Sequence, residues 1–373
     1  MKLTADRDVL AGAVSWAARA LPQRPVVPIV AGMRIEAGDG HLTVAAFDYD
    51  TSATAQVNVD IGEPGIAVVP GRLLVEIVKS LPAKPVTLTA DGGRLTVECG
   101  TARFTLVLLP AQEYPSLPEM PPPAGTIGAA AFAEAVTQVS PAAGRDDTFP
   151  VLTGIRVEVN AEAITLVATD RYRLAWRPVT WSPHTTEIST ALTVPAANLA
   201  AAAKTMGAER EVTIGLEMDD GGGTPGILGL QAGALTLTTR LLGREYPNWG
   251  ALIPGAPVAV AVVDAEPFAA AVRRAALVTI RNIPVRLVFT PGRVRVEAGT
   301  SGEDEAADVV DADFTGDDLM IAFHPGYLLD GVTACGTERV HVAFTSAARP
   351  AVISGEPDTS GYRYVIMPVR GTG

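Results

Sequence analysis

The sequence has few of the residues on which metal, redox and hydrolytic chemistry usually depend. Its 373 residues include four histidines and two cysteines, and neither type is arranged in a metal-ligand spacing. No run of about twenty apolar residues occurs, so we expect no helix that spans a membrane. The N-terminus lacks the charged and then apolar layout of a secretion signal. We therefore expect a cytoplasmic protein whose thiols are reduced.

Motifs of known enzyme classes are also missing. No HExxH pattern and no nucleophile elbow occur around the scattered histidines. The glycine run 221–223 is not followed by the Lys-Ser or Lys-Thr pair of a phosphate-binding loop. The adjacent carboxylates Asp146 and Asp147 are in a loop pattern, where such residues are usually solvated. We expect a non-catalytic protein that holds no metal and no cofactor.

The strongest pattern in the chain is a helical segment that occurs three times. The copies are VPGRLLVEIVKSLP at 69–82, VPAANLAAAAKTMG at 194–207 and FHPGYLLDGVTACG at 323–336. Each copy opens with an apolar residue and a proline that is able to start a helix at its first turn. Apolar residues at helical spacing follow. The copies are roughly 125–130 residues apart, which is the size of a whole domain.

Other segments repeat with the same period. The stretch 28–48 (PIVAGMRIEAGDGHLTVAAFD) parallels 150–170 (PVLTGIRVEVNAEAITLVATD), and both are typical of strands joined by turns. Further helices are predicted from a cap at Thr4 or Asp6 to Ala17, at 129–140 and at 266–280. An order of helix, strands, helix and strands indicates an α+β fold. The sequence thus predicts three α+β domains, joined by proline-rich segments near Met120 and Ile253, at 1–120, 126–253 and 257–373.

Three pieces of the sequence resemble one known family. They are the LPAQEYP segment that ends the first repeat, VATDRYRLA in the second, and YRYVIMPVR at the C-terminus. In this order they resemble the bacterial DNA polymerase III beta subunits, the sliding clamps, over the whole chain. The resemblance implies three clamp domains per chain and a head-to-tail homodimer that closes as a ring of six similar steps. In such a ring the helices line the lumen and the antiparallel sheets form the outside.

The resemblance also implies a function. A clamp ring encloses double-stranded DNA without sequence preference and tethers the polymerase III alpha subunit, the clamp loader and other proteins through short linear motifs. It has no membrane partner. Two alternatives stay open. One is a specialised paralogue with a remodelled peptide pocket, for example a pocket that tolerates a clamp-directed inhibitor, and the other is an enzyme on the same triplicated scaffold.

DNA contact is expected from basic residues that hold phosphates without reading bases. Arg24 and Arg72 match positions that contact DNA or are basic in the clamp family. Ala196 and Ala197 stand where clamps usually have a basic pair, and the net charge is −12, so we expect weak DNA contact. Each candidate is explained at least as well as a solvated surface residue. Arg7 and Arg274 are further, weaker candidates, and the main ones are Arg24, Arg72, Lys79, Arg145, Lys204, Arg273, Arg281 and Asn282.

The second implied site is a groove between the second and third domains that takes an extended peptide. In the family its apolar residues accept anchor side chains, while Arg and Thr satisfy polar groups at the rim. Alone, VATDRYRLA is more typical of an ordinary strand edge, and the C-terminal VIMPVR is what favours the groove. Its lining is expected from Leu152, Thr169, Arg171, Tyr172, Arg173, Leu174, Pro247, Trp249, Met367, Pro368, Val369 and Arg370.

Trp249 departs from the family, which usually has a tyrosine or basic residues beside the groove at this point. An indole here would add a stacking surface or cover part of the groove. This departure is the observation behind the alternative of a specialised paralogue. The other interpretation is a tolerated substitution at the rim.

The third implied site is the seam between two copies of the chain. In clamps, basic and apolar residues on an edge strand of the first domain meet acidic residues of the third domain, which favours pairing of unlike domains. The other interpretation of the acidic run 303–305 is a solvated loop. The seam candidates are Arg103, Phe104, Leu106, Leu277, Val278, Glu303, Asp304 and Glu305.

Overall fold

The computed structural model describes residues 1–146, 148–218, 226–243, 245–279, 284–299 and 304–369 of the chain. Four of the predicted site residues, Arg281, Asn282, Glu303 and Arg370, lie outside the described residues. No helix within the described ranges is long and apolar enough to cross a membrane.

The described residues form six α-helices, each at a segment where apolar residues keep helical spacing. Asp6 caps the first helix, since its Oδ1 accepts a hydrogen bond from the backbone nitrogen of Asp8 at 2.8 Å. Pro325 is the first residue of the sixth helix, as the proline pattern predicts. The same prediction was wrong by one residue in the other two copies, because Pro70 is the N-cap residue and Pro195 lies just before its helix. The helices are α1 (Arg7–Ala17), α2 (Gly71–Ser80), α3 (Ala129–Val139), α4 (Ala196–Met206), α5 (Ala265–Ala276) and α6 (Pro325–Ala334).

The strands of the described residues follow a threefold order along the chain. Each repeat runs strand, helix, four or five strands, helix and three strands. The sequence analysis missed the strand that precedes α1, α3 and α5. The strands are β1 (Lys2–Ala5), β2 (Gly32–Gly38), β3 (His41–Phe47), β4 (Thr51–Asn58), β5 (Asp60–Glu63), β6 (Gly65–Pro70), β7 (Val86–Asp91), β8 (Arg94–Cys99), β9 (Ala102–Val107), β10 (Pro123–Gly128), β11 (Gly154–Val159), β12 (Ala163–Thr169), β13 (Arg173–Thr180), β14 (Ser182–Pro183), β15 (Thr190–Pro195), β16 (Glu211–Glu217), β17 (Ile227–Ala232), β18 (Leu235–Arg240), β19 (Ala259–Asp264), β20 (Val285–Thr290), β21 (Gly292–Gly299), β22 (Glu305–Thr315), β23 (Leu319–Phe323), β24 (Arg339–Phe344), β25 (Ala351–Glu356) and β26 (Arg363–Ile366).

The strands pair antiparallel in three sheets. Their orders are β5-β1-β7-β8-β9, then β14-β10-β16-β17-β18-β4-β3-β2-β6, and β15-β11-β12-β13-β26-β25-β24-β19-β22-β21-β20-β23. The chain divides into two compact units. The first unit (1–133, 181–186 and 201–241) contains the two smaller sheets, and the second unit (134–180, 187–200 and 242–373) contains the twelve-stranded sheet. The second repeat therefore contributes strands to both units.

Two strand pairs join one repeat to the next inside a sheet. In the first unit β18 pairs with β4, and Leu237 lies opposite Ala53. In the second unit β26 pairs with β13, and Tyr364 lies opposite Ala175. Ala53 follows Asp48 by five residues, and Ala175 follows Asp170 by five residues. These aspartates end the matching segments 28–48 and 150–170. The two joins therefore have the same register.

Helix α1 packs on the first join through a buried tryptophan. Trp16 is 1% exposed, and its indole nitrogen donates to the carbonyl oxygens of Thr54 at 3.0 Å and Thr236 at 3.2 Å. These carbonyls belong to β4 and β18, so one side chain is bonded to both strands of the join. Burial of a side chain of this size stabilises the fold by roughly 3 kcal/mol.

Candidate peptide-binding site

Two cavities of the second unit share the turn between β12 and β13. The first cavity has a volume of about 1090 Å³ and the second of about 660 Å³. Arg171 and Arg173 line both of them. The first is further lined by Thr169, Leu174, 251–256, Thr345, Ser346, 348–350, Val365 and Met367, and the second by 143–146, Phe149, Leu152, Asp170, Tyr172, His324, Gly326, Tyr327 and Asp330.

The cavities bring together part of the predicted groove. Pro247, Trp249, Pro368 and Val369 line neither cavity. The predicted residues that do line them come from a short 3-10 helix and the β12–β13 hairpin of the second repeat and from the C-terminal segment. They are Leu152, Thr169, Arg171, Tyr172, Arg173, Leu174 and Met367.

The turn between β12 and β13 is held by side-chain hydrogen bonds to its own backbone. Oδ1 of Asp170 accepts from the backbone nitrogens of Tyr172 at 3.0 Å and Arg173 at 3.1 Å. Oγ1 of Thr169 donates to the carbonyl oxygen of Arg173 at 2.6 Å. Arg171 has a φ of +80°, a left-handed conformation that glycine adopts more readily. The sequence TDRYR thus fixes the backbone from which Arg171 and Tyr172 project.

Arg173 is the buried charge of the site. Its Nε donates to Oδ2 of Asp170 at 2.9 Å, and its Nη1 donates to the Asp330 carboxylate and to the Tyr364 hydroxyl. The guanidinium carbon lies 4.3 Å from the ring centre of Tyr327. Burial acts to lower the pKa of Arg173, but Tyr364, Asp330 and Asp170 raise it above its ordinary value. Because its charge is already partnered, Arg173 shapes the wall shared by the cavities.

Rings of the turn and of α6 form one side of the second cavity. Tyr172 and Tyr327 are stacked with ring centres 6.2 Å apart, and the His324 ring lies 4.3 Å from that of Tyr327. His324 is the N-cap of α6, where its Nδ1 accepts from the backbone nitrogen of Tyr327 at 3.4 Å. Burial first, and then the charge of Arg173, lower the pKa of His324. The imidazole therefore stays neutral at physiological pH, as this cap requires.

Three side chains of this cavity were not predicted from the sequence: His324, the N-cap of α6, and Tyr327 and Asp330 within α6. They follow one another at intervals of three residues, so they share one face of the helix. A signal for them was present. The third copy of the repeated helical segment has a histidine, a tyrosine and an aspartate at this spacing in FHPGYLLDG, where the second copy, VPAANLAAA, has Pro195, Asn198 and Ala201.

Trp249 lies against the sheet rather than in a cavity. Its ring centre is 5.7 Å from that of Trp176, and its Nε1 donates to Oε1 of Glu158 at 2.9 Å. The indole packs against the buried cluster of Val167, Leu174 and Val365. The segment 251–256, which follows it, lines the first cavity. Trp249 thus anchors the start of a cavity wall.

The C-terminal segment is tied down at two points by its backbone. The backbone nitrogen of Met367 donates to the carbonyl oxygen of Tyr172 at 2.9 Å, and that of Val369 donates to Ala322 of β23 at 2.8 Å. This path places the Met367 side chain, which is 45% exposed, on the first cavity. Methionine adapts readily to different apolar ligands.

The described candidates for DNA contact are exposed and lie on several different elements. Arg72 is the second residue of α2 and donates from Nη2 to the Pro22 carbonyl oxygen at 3.0 Å. Nη1 of Arg273 forms an ion pair with Glu266 at 3.0 Å, and Arg145 lines the second cavity. The remaining three are Arg24 in the loop after α1, Lys79 in α2 and Lys204 in α4.

The described seam candidates of the first repeat lie on an edge strand, and those of the third repeat lie just after α5 and at the start of β22, an inner strand of the twelve-stranded sheet. Arg103, Phe104 and Leu106 are on β9, the outermost strand of the five-stranded sheet. Leu106 is buried, while Arg103 is largely exposed and lies 3.6 Å from a carboxylate oxygen of Glu98. The other described candidates are Leu277, which is 84% exposed, Val278, Asp304 and Glu305 at the start of β22.

The cavities offer apolar walls and hydrogen-bonding rims. Leu174, Val365 and Met367 supply apolar surface to the first cavity, and Thr169 and Arg171 supply polar groups. In the part of the chain that the structure describes, no group of three or more His, Cys, Asp or Glu residues is arranged to hold a metal ion. This arrangement suits the binding of an extended peptide with apolar anchors.

Comparison with known proteins gives a consistent result over the whole chain. Family models of the DNA polymerase III beta subunit match it at 1–118 (N-terminal domain), 126–248 (central domain) and 251–370 (C-terminal domain). The beta sliding clamp of Streptomyces coelicolor is 45% identical over 378 residues, with all of both chains covered. The beta sliding clamp homolog GriR of Streptomyces muensis is 39% identical over 376 residues, with 99% of both chains covered. The crystal structure of a DNA polymerase III subunit beta from Pseudomonas aeruginosa bound to griselimycin is similar with a TM-score of 0.90 and 26% identity, with all of both chains covered.

Proposed function

The chain belongs to the family of DNA polymerase III beta subunits, and we propose that it acts as a DNA sliding clamp. Two copies form a closed ring that encircles double-stranded DNA and tethers the replicative polymerase. The match of three domain models along the chain and the full-length identity of 45% carry this proposal. Its domains extend over 1–120, 126–253 and 257–373. The clamp is a non-catalytic, cytoplasmic accessory subunit of the polymerase III holoenzyme and needs no cofactor.

The two cavities together form the proposed groove for linear motifs of partner proteins. The first cavity has room for several side chains, since pockets for whole small ligands measure about 300–1000 Å³. An extended peptide across both cavities would bury apolar side chains against Leu174 and Met367. Its backbone would meet the polar groups of Thr169 and Arg171. The proteins proposed to carry such motifs are the polymerase III alpha subunit, the clamp loader and other replication or repair proteins.

The seam between two copies is proposed to repeat the joins inside the chain. The final strands of the three repeats, β9, β18 and β26, are equivalent. After each of them, one backbone nitrogen donates a hydrogen bond to the strand that precedes the second helix of the same repeat. Those donors are Leu109, Leu242 and Val369. The residues five positions earlier are Phe104, Leu237 and Tyr364, so Phe104 is the counterpart of the two residues that lie opposite alanine in the joins.

The acceptor strands are equivalent as well. Ala53 and Ala175 each pair with an alanine of the preceding strand, and in the third repeat Ala306 of β22 pairs with Ala298. Within the described ranges, the part of β22 at 305–311 pairs on one side only, with β21. The shared register supports a pairing in which Phe104 lies opposite Ala306 of the partner subunit. Arg103 is then diagonal to Glu305 of the partner subunit, at a separation where unlike charges stabilise a strand pair.

DNA is held mainly by closure of the ring. The exposed basic candidates lie on several different elements, and the chain has a net charge of −12. The first two residues of α4, Ala196 and Ala197, are uncharged. Contacts of this kind are screened by salt and carry no sequence information. A ring with such a lumen slides along the duplex and leaves it only when it opens.

The first experiment combines the mass in solution with titration of a fluorescent peptide that contains the clamp-binding motif of a polymerase III alpha subunit. We expect a dimer that binds the peptide. A chain truncated after Ile366 is expected to stay dimeric and to bind at least tenfold more weakly, because it lacks Met367. A monomer would contradict the ring, and unchanged affinity after truncation would contradict the placement of the groove.

A specialised paralogue is the second candidate, and the 39% identity to GriR over nearly the whole chain is the observation in its favour. The 45% identity to the Streptomyces coelicolor clamp supports the first candidate more strongly. Titration with griselimycin separates them, since a clamp of Pseudomonas aeruginosa binds this compound. Binding of both the motif peptide and griselimycin favours the replicative clamp. Binding of the peptide alone favours the specialised copy.

A further inference from the structure

We propose that Arg171 selects partner motifs that carry an acidic side chain at the point where the bound peptide passes between the two cavities. The inference rests on the proposed function, because it assigns a ligand chemistry to the groove of that clamp. Arg171 lines both cavities. The occupant is a carboxylate of an extended peptide, which is the group that a planar guanidinium binds best.

The turn at Arg171 differs from its counterpart in the first repeat in the side chain and not in the backbone. A φ of +80° costs a residue other than glycine roughly 1–3 kcal/mol. The equivalent turn of the first repeat has the same conformation at Tyr49, with a φ of +76°, and Asp48 holds it as Asp170 holds the second. The left-handed conformation therefore belongs to the turn. What distinguishes the second turn is a charged side chain that reaches two cavities.

The guanidinium of Arg171 is held in place by an aromatic ring. Its central carbon lies 4.2 Å from the ring centre of Phe149 and 6.0 Å from that of Tyr172. Phe149 is 41% exposed, so the pair is accessible from solvent. Stacking on a ring uses the face of a guanidinium and leaves the N–H groups at its edge available. A ligand can therefore bind Arg171 without displacing it.

The carboxylates of the groove do not neutralise Arg171. Two of them form ion pairs with Arg173, and within the described ranges Arg171 has no ion pair of its own. The third, Asp146, accepts a hydrogen bond from the backbone nitrogen of Thr148 at 2.9 Å. Hydrogen bonds from Thr148 are the main cause of its lowered pKa, and the charge of Arg171 is a smaller one. The charge of Arg171 thus acts on the Asp146 carboxylate, but the two side chains do not form an ion pair.

The two cavities together are lined by four arginines and three aspartates, a net charge of +1. The positive excess comes from Arg349 in the first cavity, because Arg145 in the second only offsets Asp146. An accessible ion pair between a peptide carboxylate and Arg171 would raise affinity by about two- to fivefold. The gain would fall as salt is added, since exposed charges are screened.

The test is a double-mutant cycle between the chain and a labelled peptide. The probe is a nine-residue peptide with the clamp-binding motif of a polymerase III alpha subunit, in which each position in turn is Asp or Asn. Fluorescence anisotropy gives the Kd of every peptide for the wild type and for Arg171→Asn, whose new side chain tolerates the left-handed conformation. At one position the wild type should prefer Asp over Asn by about two- to fivefold, and Arg171→Asn should lose this preference.

Two further variants separate charge from structure. Arg171→Glu should reverse the preference at the same position, so that the Asn peptide binds more tightly than the Asp peptide. Tyr49→Asn is the matched control, since it changes the equivalent turn outside both cavities and should keep the preference. A wild type that binds the peptides with no such position, or a preference that survives in Arg171→Asn, overturns the inference. If no peptide binds at all, the groove itself is wrong and the inference fails with it.

Discussion

The guanidinium of Arg173 on β13 donates a hydrogen bond to the carboxylate of Asp330 on α6, 157 residues further along the chain. Asp170 binds the same guanidinium from within the turn. One buried charge thus connects the strand of the second repeat to the helix of the third. The wall between the two cavities depends on this connection.

Replacing Asp330 with Ala should lower the free energy of unfolding by about 1–3 kcal/mol, because a buried guanidinium loses one of its two carboxylates. Urea unfolding followed by circular dichroism measures the change. Asp317→Ala, at an exposed position in the turn after β22, is the control and should have little effect. Equal stability of Asp330→Ala and the wild type would show that Asp170 alone satisfies Arg173.

Replacing Trp249 with Phe should lower stability by roughly 1 kcal/mol, since the ring still packs on Trp176 but the hydrogen bond to Glu158 is lost. Trp249→Ala should cost more, about 2–4 kcal/mol, because it also removes the ring. The affinity for the motif peptide should hardly change in Trp249→Phe. A tenfold loss of affinity in that variant would mean that the indole contacts the ligand.

Replacing Arg103 with Glu should shift the dimer toward monomer, because the new carboxylate would lie diagonal to Glu305 of the partner subunit in the shared register and repel it. Sedimentation equilibrium at several concentrations gives the dissociation constant. Arg210→Glu makes the same charge change at an exposed residue before β16 and should leave the dimer unchanged. An unaltered mass for Arg103→Glu would contradict the assignment of β9 to the seam.

Stability should fall in alkaline solution, in part through Tyr114. Burial raises the pKa of this tyrosine to about 12, while the unfolded chain ionises near pH 10. Its contribution is therefore complete below about pH 10 and is lost as the pH rises toward 12, by roughly 2–3 kcal/mol. Urea midpoints at pH 8 and pH 11 should differ less in Tyr114→Phe than in the wild type.

Other buried tyrosines also contribute to the loss of stability in alkaline solution. Burial also raises the pKa of Tyr246, Tyr362 and Tyr364, so Tyr114→Phe should keep part of the alkaline loss. Tyr49→Phe changes an exposed tyrosine and should keep all of it. A Tyr114→Phe protein with the same alkaline loss as the wild type would show that Tyr114 ionises equally in both states.

The helices were the most predictable part of the fold, because apolar spacing is a local property of the sequence. All six occur where the spacing predicted them, although α5 ends at Ala276 rather than at 280. The short strands β1, β10 and β19 were missed, since four to six residues carry little periodic signal. The joins β4–β18 and β13–β26 were also not predictable, because they pair residues that are 180 or more positions apart.

The groove was predictable only through the family resemblance, and its role stays a prediction. The pattern VATDRYRLA alone indicates a strand and a turn, and both occur. The side of the second cavity formed by α6 was missed because a three-residue spacing of polar residues on a helix usually indicates a solvated face. The role suggested for Trp249 depended on where its ring points, which no local pattern specifies.

Strand pairing between repeats makes the linker peptides partly redundant. The first and second repeats share the pairing of β18 with β4, and the second and third share that of β26 with β13, five and four residue pairs respectively. A chain cut by a protease near Met120 or Ile253 would still be held by backbone hydrogen bonds and buried side chains. Two separately expressed fragments that meet at such a cut should therefore reassemble, and covalent continuity would matter more for how the protein forms than for how it persists.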